Sequence, residues 1–151
     1  MFAVLLFAVM SALTAGAAAR CPLGFVSLGR SCYLFSTNSA DFAGANSFCL
    51  FFGSRLAVIE RKTEDTLIKS YLLRHGKGGT FYIGGTDLRA EGIFTWERPL
   101  AKKLGYRGWP PGQPDNYKGN EHCMTLPRSF KYRWNDAPCD HKYRFICERR
   151  H

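Results

Sequence analysis

Oxygen-bearing side chains are concentrated in one stretch of the chain. Gln113 and Asp115 flank a proline, Glu121 follows six residues later, and Asn135 and Asp136 are adjacent. These five side chains carry three negative charges, and together they could enclose a hard cation. Ca²⁺ takes six to eight oxygen ligands and accepts neutral amide oxygens, whereas Mg²⁺ requires a stricter octahedron. The stretch therefore predicts a calcium site, although each residue alone is also an ordinary turn residue.

A long segment, residues 99–121, carries the first three of these side chains. It has little helical or strand periodicity and is rich in Pro and Gly. Such segments are uncommon inside compact domains unless they are functional or held by other groups. We therefore expect the fold to hold an irregular loop close to the end of a strand.

The remaining sequence predicts an α+β domain in which two helices precede a mostly β half. Ser39 is expected to cap a helix over residues 40–52, and Thr63 to cap a second helix that ends near Arg74. Gly53 is a typical residue after a helix end. Short strands are expected at residues 25–26, 33–35, 56–59, 81–83, 93–96, 123–126, 132–135 and 145–147.

The composition favours one folded domain with an excess of basic residues. The chain has 151 residues, of which 46% are apolar and 15% aromatic, so it can bury a core and is not disordered. Lys and Arg number 21 against 12 Asp and Glu, which gives a net charge of +9. Clustered basic residues can neutralise nucleic-acid phosphates or other polyanions.

Residues 1–19 resemble a secretory signal peptide. An apolar run from Phe2 to about Leu13 precedes small residues that end in Ala19, and Arg20 would begin the mature domain, residues 20–151. A transmembrane anchor is the competing interpretation, but a membrane span needs about 20 apolar residues. We therefore expect a secreted, extracellular protein without a membrane span, for which nucleic acid is an improbable partner.

Secretion changes the meaning of the six cysteines. In an oxidising compartment they predict three disulfides, whereas in the cytosol they would suggest a metal or redox site. Six cysteines allow 15 pairings, and no CxxC pair is present. The spacing suggests the pairs Cys21–Cys32, Cys49–Cys147 and Cys123–Cys139.

Taken together, these motifs resemble the C-type lectin-like domain in its long, six-cysteine form. The resemblance runs from Cys21 to Glu148, and its pieces are Tyr82-Ile83-Gly84-Gly85, Trp109 to Asn116 around Gln-Pro-Asp, Glu121-His122-Cys123 and Trp134-Asn135-Asp136. It is similar above all to perlucin-type and other small secreted invertebrate lectins. The resemblance implies the same cysteine pairing, a fold of two helices with antiparallel sheets, and a long loop that binds calcium and sugar.

The resemblance also implies a role for each residue of the candidate site. Gln113, Asp115, Glu121, Asn135 and Asp136 match the principal calcium ligands, which also bind the sugar, and the proline bond of this motif is usually cis. Gln-Pro-Asp resembles the motif of galactose-binding members, so galactose or N-acetylgalactosamine is the expected ligand. Mannose or mixed selectivity stays open.

Some residues depart from the family pattern. Tyr117 stands near the position where galactose-binding relatives have a stacking Trp, and its role in stacking is left open. A second calcium site could be formed by Asp87, Glu91 and Asn116. Only Asp87 and Glu91 match the family's ligands, because Asn116 and His122 stand where carboxylates are common. We expect weak occupancy there, with His122 a packed or exposed polar residue. Trp96, Trp109 and Trp134 are expected mainly in the core, and Gly84 and Gly85 at close backbone contacts.

Three classes of function remain in competition. The first is a calcium-dependent lectin in innate immune recognition or in shell matrix and biomineralisation. The second is a structural protein, associated with mineral or acidic matrix, that depends little on sugar. The third is an enzyme, which is not expected because the candidate carboxylates are already explained as metal ligands.

The basic residues of the second half could favour binding to anionic microbial polymers or to mineral matrix; they are Arg98, Lys102, Lys103, Arg107, Lys118, Arg128, Lys131 and Arg133.

Overall fold

The computed structural model describes residues 21–97 and 100–151. The expected signal peptide, Arg20 and Arg98 lie outside the described residues. No helix among the residues described is long and apolar enough to cross a membrane.

The described residues form two α-helices and nine β-strands, as the α+β prediction requires. The helices are α1 (Phe42–Phe51) and α2 (Lys62–His75). The strands are β1 (Val26–Leu28), β2 (Ser31–Phe35), β3 (Arg55–Leu56), β4 (Thr80–Thr86), β5 (Thr95–Trp96), β6 (Lys102–Lys103), β7 (Cys123–Pro127), β8 (Asn135–Ala137) and β9 (Arg144–Arg150).

The strands pair in the order β1-β2-β9-β4-β5-β6, with β3 also on β9 and β7 joined to both β4 and β8. All pairings are antiparallel except that of β4 with β9. The strands therefore form two groups that meet between β9 and β4. One group, β1, β2, β3 and β9, joins the two ends of the domain, and the other carries the segments of the candidate site.

The three disulfides have the pairing that the spacing suggested. Cys21–Cys32 links the start of the domain to β2, Cys49–Cys147 joins α1 to β9, and Cys123–Cys139 closes the segment around β8. Because the second bridge spans 98 residues, it removes the most conformational freedom from the unfolded chain.

The predicted N-caps of both helices are wrong. Asp41, and not Ser39, caps α1, since its Oδ1 accepts a hydrogen bond from the Gly44 N–H at 2.9 Å. Helix α2 begins before Thr63, and its N-cap residue makes no side-chain cap. Glu64 in its first turn instead accepts a hydrogen bond from the Glu60 N–H at 2.8 Å, which fixes the chain entering the helix.

Three strand predictions are also wrong in extent, and in the one at residues 93–96 only Thr95 and Trp96 form a strand. At residues 132–135 the chain turns, because Lys131 and Tyr132 have φ of +53° and +58°, and β8 begins only at Asn135. At residues 56–59 only Leu56 belongs to a strand. The Val58 N–H donates to the buried Glu148 carboxylate, 3.1 Å away, and not to a neighbouring strand.

The three tryptophans belong to the core, as expected. The Trp134 ring contacts Trp96, Tyr106 and Trp109 edge-to-face, with ring centroids 5.5–5.6 Å apart. Trp96 and Trp134 are buried, and Trp109 is half-buried against them. Close packing at Gly84 is confirmed as well, since a Cβ there would lie 2.9 Å from the Leu56 carbonyl oxygen.

Candidate functional site

Trp134 anchors the two residues of the candidate site that follow it. Its Nε1 donates a hydrogen bond to the buried carboxylate of Asp65 in α2 at 3.1 Å. Its backbone N–H donates to the Gly108 carbonyl in the long loop at 3.2 Å. The helix and the loop thus hold the strand end that presents Asn135 and Asp136.

Three of the predicted ligands come together in the structure. Carboxylate oxygens of Asp115, Glu121 and Asp136 lie within 4.8 Å of one another, and we call this group the primary cluster. Asp136 is fully buried, while Asp115 is exposed. The loop wraps around the buried member, because the Asp136 carboxylate accepts hydrogen bonds from the backbone N–H groups of Asp115 (3.2 Å) and Asn116 (2.7 Å).

The pKa values of Glu121 and Asp136 are raised above their ordinary values. Burial is the largest cause for both, and the nearby Asp115 side chain raises both pKa values further. Backbone N–H donors oppose the shift in each case but do not cancel it. The cluster therefore has uncompensated negative charge, which a divalent cation would neutralise.

The two amide residues complete the predicted set of ligands. The Gln113–Pro114 peptide bond is cis, as the resemblance implies. The Gln113 Oε1 atom is buried and has no hydrogen-bond partner among the residues that the structure describes. A buried acceptor without a partner is unfavourable unless a cation or a donor binds it. The Asn135 Nδ2 donates to the Asp136 carbonyl, which leaves its side-chain oxygen as the acceptor.

This donor set fits calcium. It offers three carboxylates close together, one buried amide oxygen without a partner, and a second amide beside Asp136. Hard oxygen donors of this kind, with several negative charges, are the ligands that Ca²⁺ prefers.

A second group, Asp87, Glu91 and His122, also has ligand atoms within 4.8 Å of one another, and we call it the auxiliary cluster. The His122 Nδ1 lies 3.0 Å from Asp87 Oδ1 and 3.4 Å from Glu91 Oε2. The Asn116 Nδ2 donates to Glu91 Oε1 at 2.6 Å, and its Oδ1 accepts the Glu121 N–H at 3.0 Å. His122 and Asn116 thus present nitrogen to the two carboxylates, which suits calcium poorly.

The resemblance places His122 at this second site in place of a carboxylate, but the sequence alone does not predict its contacts with Asp87 and Glu91. His122 is 35 residues from Asp87, and the pairing of β4 with β7, which places Thr86 opposite Cys123, brings the two together. Its place beside a motif residue, Glu121, was the available signal. Asn116 contacts both clusters and so links them.

Tyr117 lies on a short 3₁₀ turn, Tyr117–Gly119, at the edge of the primary cluster. Its ring is 64% exposed, and Lys118 Nζ lies 5.4 Å from the ring centroid. Its backbone N–H donates to the Glu121 carboxylate at 3.0 Å. The ring is therefore accessible to a ligand, and its role in stacking on a sugar stays open.

The fold and the clustered oxygen ligands define a carbohydrate-recognition domain of the C-type lectin class. Residues 38–149 match the family of the lectin C-type domain, and the chain belongs to this family. Because its relatives in this family are lectins, the expectation that the protein is not an enzyme is confirmed.

Two characterised relatives and one solved structure illustrate the relationship. The chain is 44% identical to perlucin of Haliotis laevigata over 130 residues, which cover 85% of this chain and 83% of perlucin. It is 33% identical to the galactose-specific lectin nattectin of Thalassophryne nattereri over 135 residues, 89% of this chain and 83% of nattectin. The mouse scavenger receptor C-type lectin carbohydrate-recognition domain aligns with a TM-score of 0.77 and 32% identity, covering 87% and 97% of the two chains.

Proposed function

We propose that this protein is a secreted, calcium-dependent lectin that binds galactose-type sugars. The observation that carries the proposal is the primary cluster together with the buried, unpartnered oxygen of Gln113. The negative charge and the unpartnered oxygen favour a bound cation. A calcium ion held there would keep coordination positions occupied by water, and two vicinal sugar hydroxyls could replace that water.

The protein side chains then orient the sugar by hydrogen bonds. Amides such as Gln113 and Asn135 can donate to a hydroxyl, whereas ionised carboxylates such as Asp115 and Glu121 can only accept. The arrangement of donors and acceptors around the two hydroxyls therefore selects among sugars. The order Gln-Pro-Asp supports galactose or N-acetylgalactosamine, and the galactose-specific relative nattectin is consistent with it.

Affinity chromatography tests this proposal. The secreted mature domain should be retained on galactose-agarose in the presence of Ca²⁺ and released by EDTA, with mannose-agarose as the matched resin. Retention that persists in EDTA, or no retention on either resin, would contradict the proposal of a calcium-dependent lectin.

If the signal peptide is cleaved as proposed, N-terminal sequencing of the secreted product should show Arg20 as its first residue.

The exposed basic surface favours a second candidate, a protein of mineral or acidic matrix with little sugar dependence. The seven described basic residues of the proposed surface are all exposed; they are Lys102, Lys103, Arg107, Lys118, Arg128, Lys131 and Arg133. Binding to calcium carbonate or to an acidic polymer that persists in EDTA and in excess galactose would favour this candidate. Binding that both reagents abolish would favour the lectin, whether its biological role is innate immunity or shell matrix.

A further inference from the structure

A groove of about 400 Å³ opens beside the calcium-binding loop. Its lining includes Gln113 and Pro114 of the loop and the cationic residues Lys103 and Arg107. Its volume falls within the range of small-ligand pockets. Because Gln113 belongs to both the groove and the proposed ligand set, a sugar at the primary cluster would lie next to this groove.

The charge of the groove is one-sided. Among the lining residues that the structure describes, Lys103 and Arg107 are basic and none is acidic. Both side chains are exposed, and no ion pair of either is found in the described residues. In contrast, the neighbouring Lys102 is bound to the Glu60 carboxylate. The two groove cations are thus available to a ligand.

The backbone around both cations is held by the fold. Lys103 belongs to β6, which pairs with β5 so that Lys103 lies opposite Thr95. Arg107 immediately precedes Gly108, whose carbonyl accepts the Trp134 N–H. The groove is therefore formed by anchored segments, and its cations lose little backbone freedom when a ligand binds.

The remaining lining suits the apolar face of a sugar. Phe94 and Trp109 lie edge-to-face with ring centroids 5.0 Å apart, and Ile93 is 56% exposed at the rim. Apolar surface beside a few placed charges is typical of a selective ligand site. An arginine guanidinium binds sulfate or carboxylate with paired hydrogen bonds, and a lysine adds a point charge.

We propose that this groove is a subsite for an anionic substituent, and that the preferred ligands are acidic galactose-type glycans carrying sulfate or carboxylate. The inference rests on the proposed lectin function, since the neutral part of the glycan is bound at the primary cluster. It identifies Lys103 and Arg107, among all the exposed basic residues, as the determinants of the preference.

Competition on galactose-agarose in Ca²⁺ tests the proposal, with galactose and galactose 6-sulfate as soluble competitors. Galactose 6-sulfate leaves the vicinal ring hydroxyls free, so both sugars can use the primary cluster. The wild-type protein should bind the sulfated sugar about tenfold more tightly at low salt, as expected for one charge-assisted contact. High salt should reduce that ratio.

The double variant Lys103→Ala/Arg107→Ala should lose this preference. Arg128→Ala/Lys131→Ala removes the same charge from exposed residues outside the groove and is the matched control, which should keep the preference. Equal binding of the two sugars by the wild type, a preference that survives in the groove variant, or its loss in the control would overturn the subsite. Absence of calcium-dependent retention in the wild type would instead overturn the proposed function.

Discussion

Gln113 and Asp115 place an amide before a carboxylate in the proposed site. The exchange Gln113→Glu/Asp115→Asn reverses donor and acceptor while it keeps the number of oxygen ligands and the net charge. We expect preference on a glycan array to move from galactose toward mannose, with calcium dependence retained. Asp140→Asn, a change at an exposed carboxylate, is the control. Unchanged selectivity in the double variant would contradict the donor and acceptor argument.

A second prediction concerns His122 and calcium binding at the auxiliary cluster. His122→Asp would place an oxygen ligand beside Asp87 and Glu91, whose carboxylates the imidazole now contacts. Three carboxylates favour calcium over the present nitrogen-containing set. Titration calorimetry should then show a further calcium-binding event that the wild type lacks, and His141→Asp, at an exposed histidine, should show none. A wild-type protein that already binds calcium tightly at both clusters would contradict this assignment.

The primary cluster could be predicted from sequence because its members lie in short motifs with fixed spacing. The resemblance also places Asp87, Glu91 and His122 at a second site, but the contacts within the auxiliary cluster and the lining of the groove could not be predicted in the same way. Asp87 contacts His122 because β4 pairs with β7, and Lys103 lines the same groove as Gln113 in a strand that is held by the pairing of β5 with β6. A two-residue strand with two exposed lysines has no pattern that distinguishes it from a loop.

Among the structural elements, the long loop makes a close backbone contact with the core at Gly108. A Cβ on Gly108 would lie 2.7 Å from Trp134 Nε1, whereas a Cβ on Gly105 would meet nothing within 4 Å. Gly108→Ala should therefore cost about 1–3 kcal/mol of unfolding free energy and weaken calcium binding, because Trp134 precedes the ligand pair. Gly105→Ala should change stability by less than about 0.5 kcal/mol. Urea unfolding and calcium titration of the two variants measure the difference, and equal effects would contradict the role of the contact.

The N-terminus of α1 gives a prediction with a pH dependence. The pKa of Asp41 is lowered below its ordinary value of 3.8. The largest cause is the hydrogen bond that its carboxylate accepts from Lys142, and the second is the one from the Gly44 N–H. Ionised Asp41 therefore stabilises the native state above that pH, and the contribution is lost as the pH falls through the lowered pKa. Asp41→Ala should reduce the urea midpoint at neutral pH and approach the wild type in acid. Ser39→Ala should match the wild type throughout, and a midpoint lowered by Ser39→Ala would restore the sequence prediction.

The helices were predictable in number and approximate extent because their apolar residues recur with helical spacing. The caps were not, since Ser39, Asp41 and Thr63 are all acceptable capping residues and only tertiary contacts select among them. The strand expected at residues 132–135 failed for a related reason. Tyr132 and Trp134 alternate with exposed residues as in a strand, but they enter the core from a turn with positive φ.

For the whole molecule, calcium should act as a stabilising ligand. A ligand that binds only the folded state at a hundred times its dissociation constant adds about 2.7 kcal/mol to the unfolding free energy. The melting temperature should therefore rise with added Ca²⁺ and return to its original value in EDTA. Glu121→Gln, which removes one charge from the primary cluster, should show a smaller rise. A melting temperature that ignores calcium in the wild type would contradict the site.

The distribution of charge over the molecule explains why its net value alone was ambiguous. Five of the twelve acidic residues are gathered in the primary and auxiliary clusters, within a chain of net charge +9. The sequence predicted an excess of basic residues in the second half. The sequence did not show which of these basic residues line a groove together with Gln113, because the lining of the groove depends on how the loop folds.

The pairing of β2 with β9 brings the two ends of the domain together, with Ser31 opposite Arg150. His151 lies against the first disulfide, 3.6 Å from Cys32 Sγ. A tether attached at this edge would hold the domain through β1, β2 and β9, which include none of the residues of the two clusters or the groove. Copies fixed to one support by such tethers would present their sugar sites together, and a high effective concentration would compensate for a weak single site.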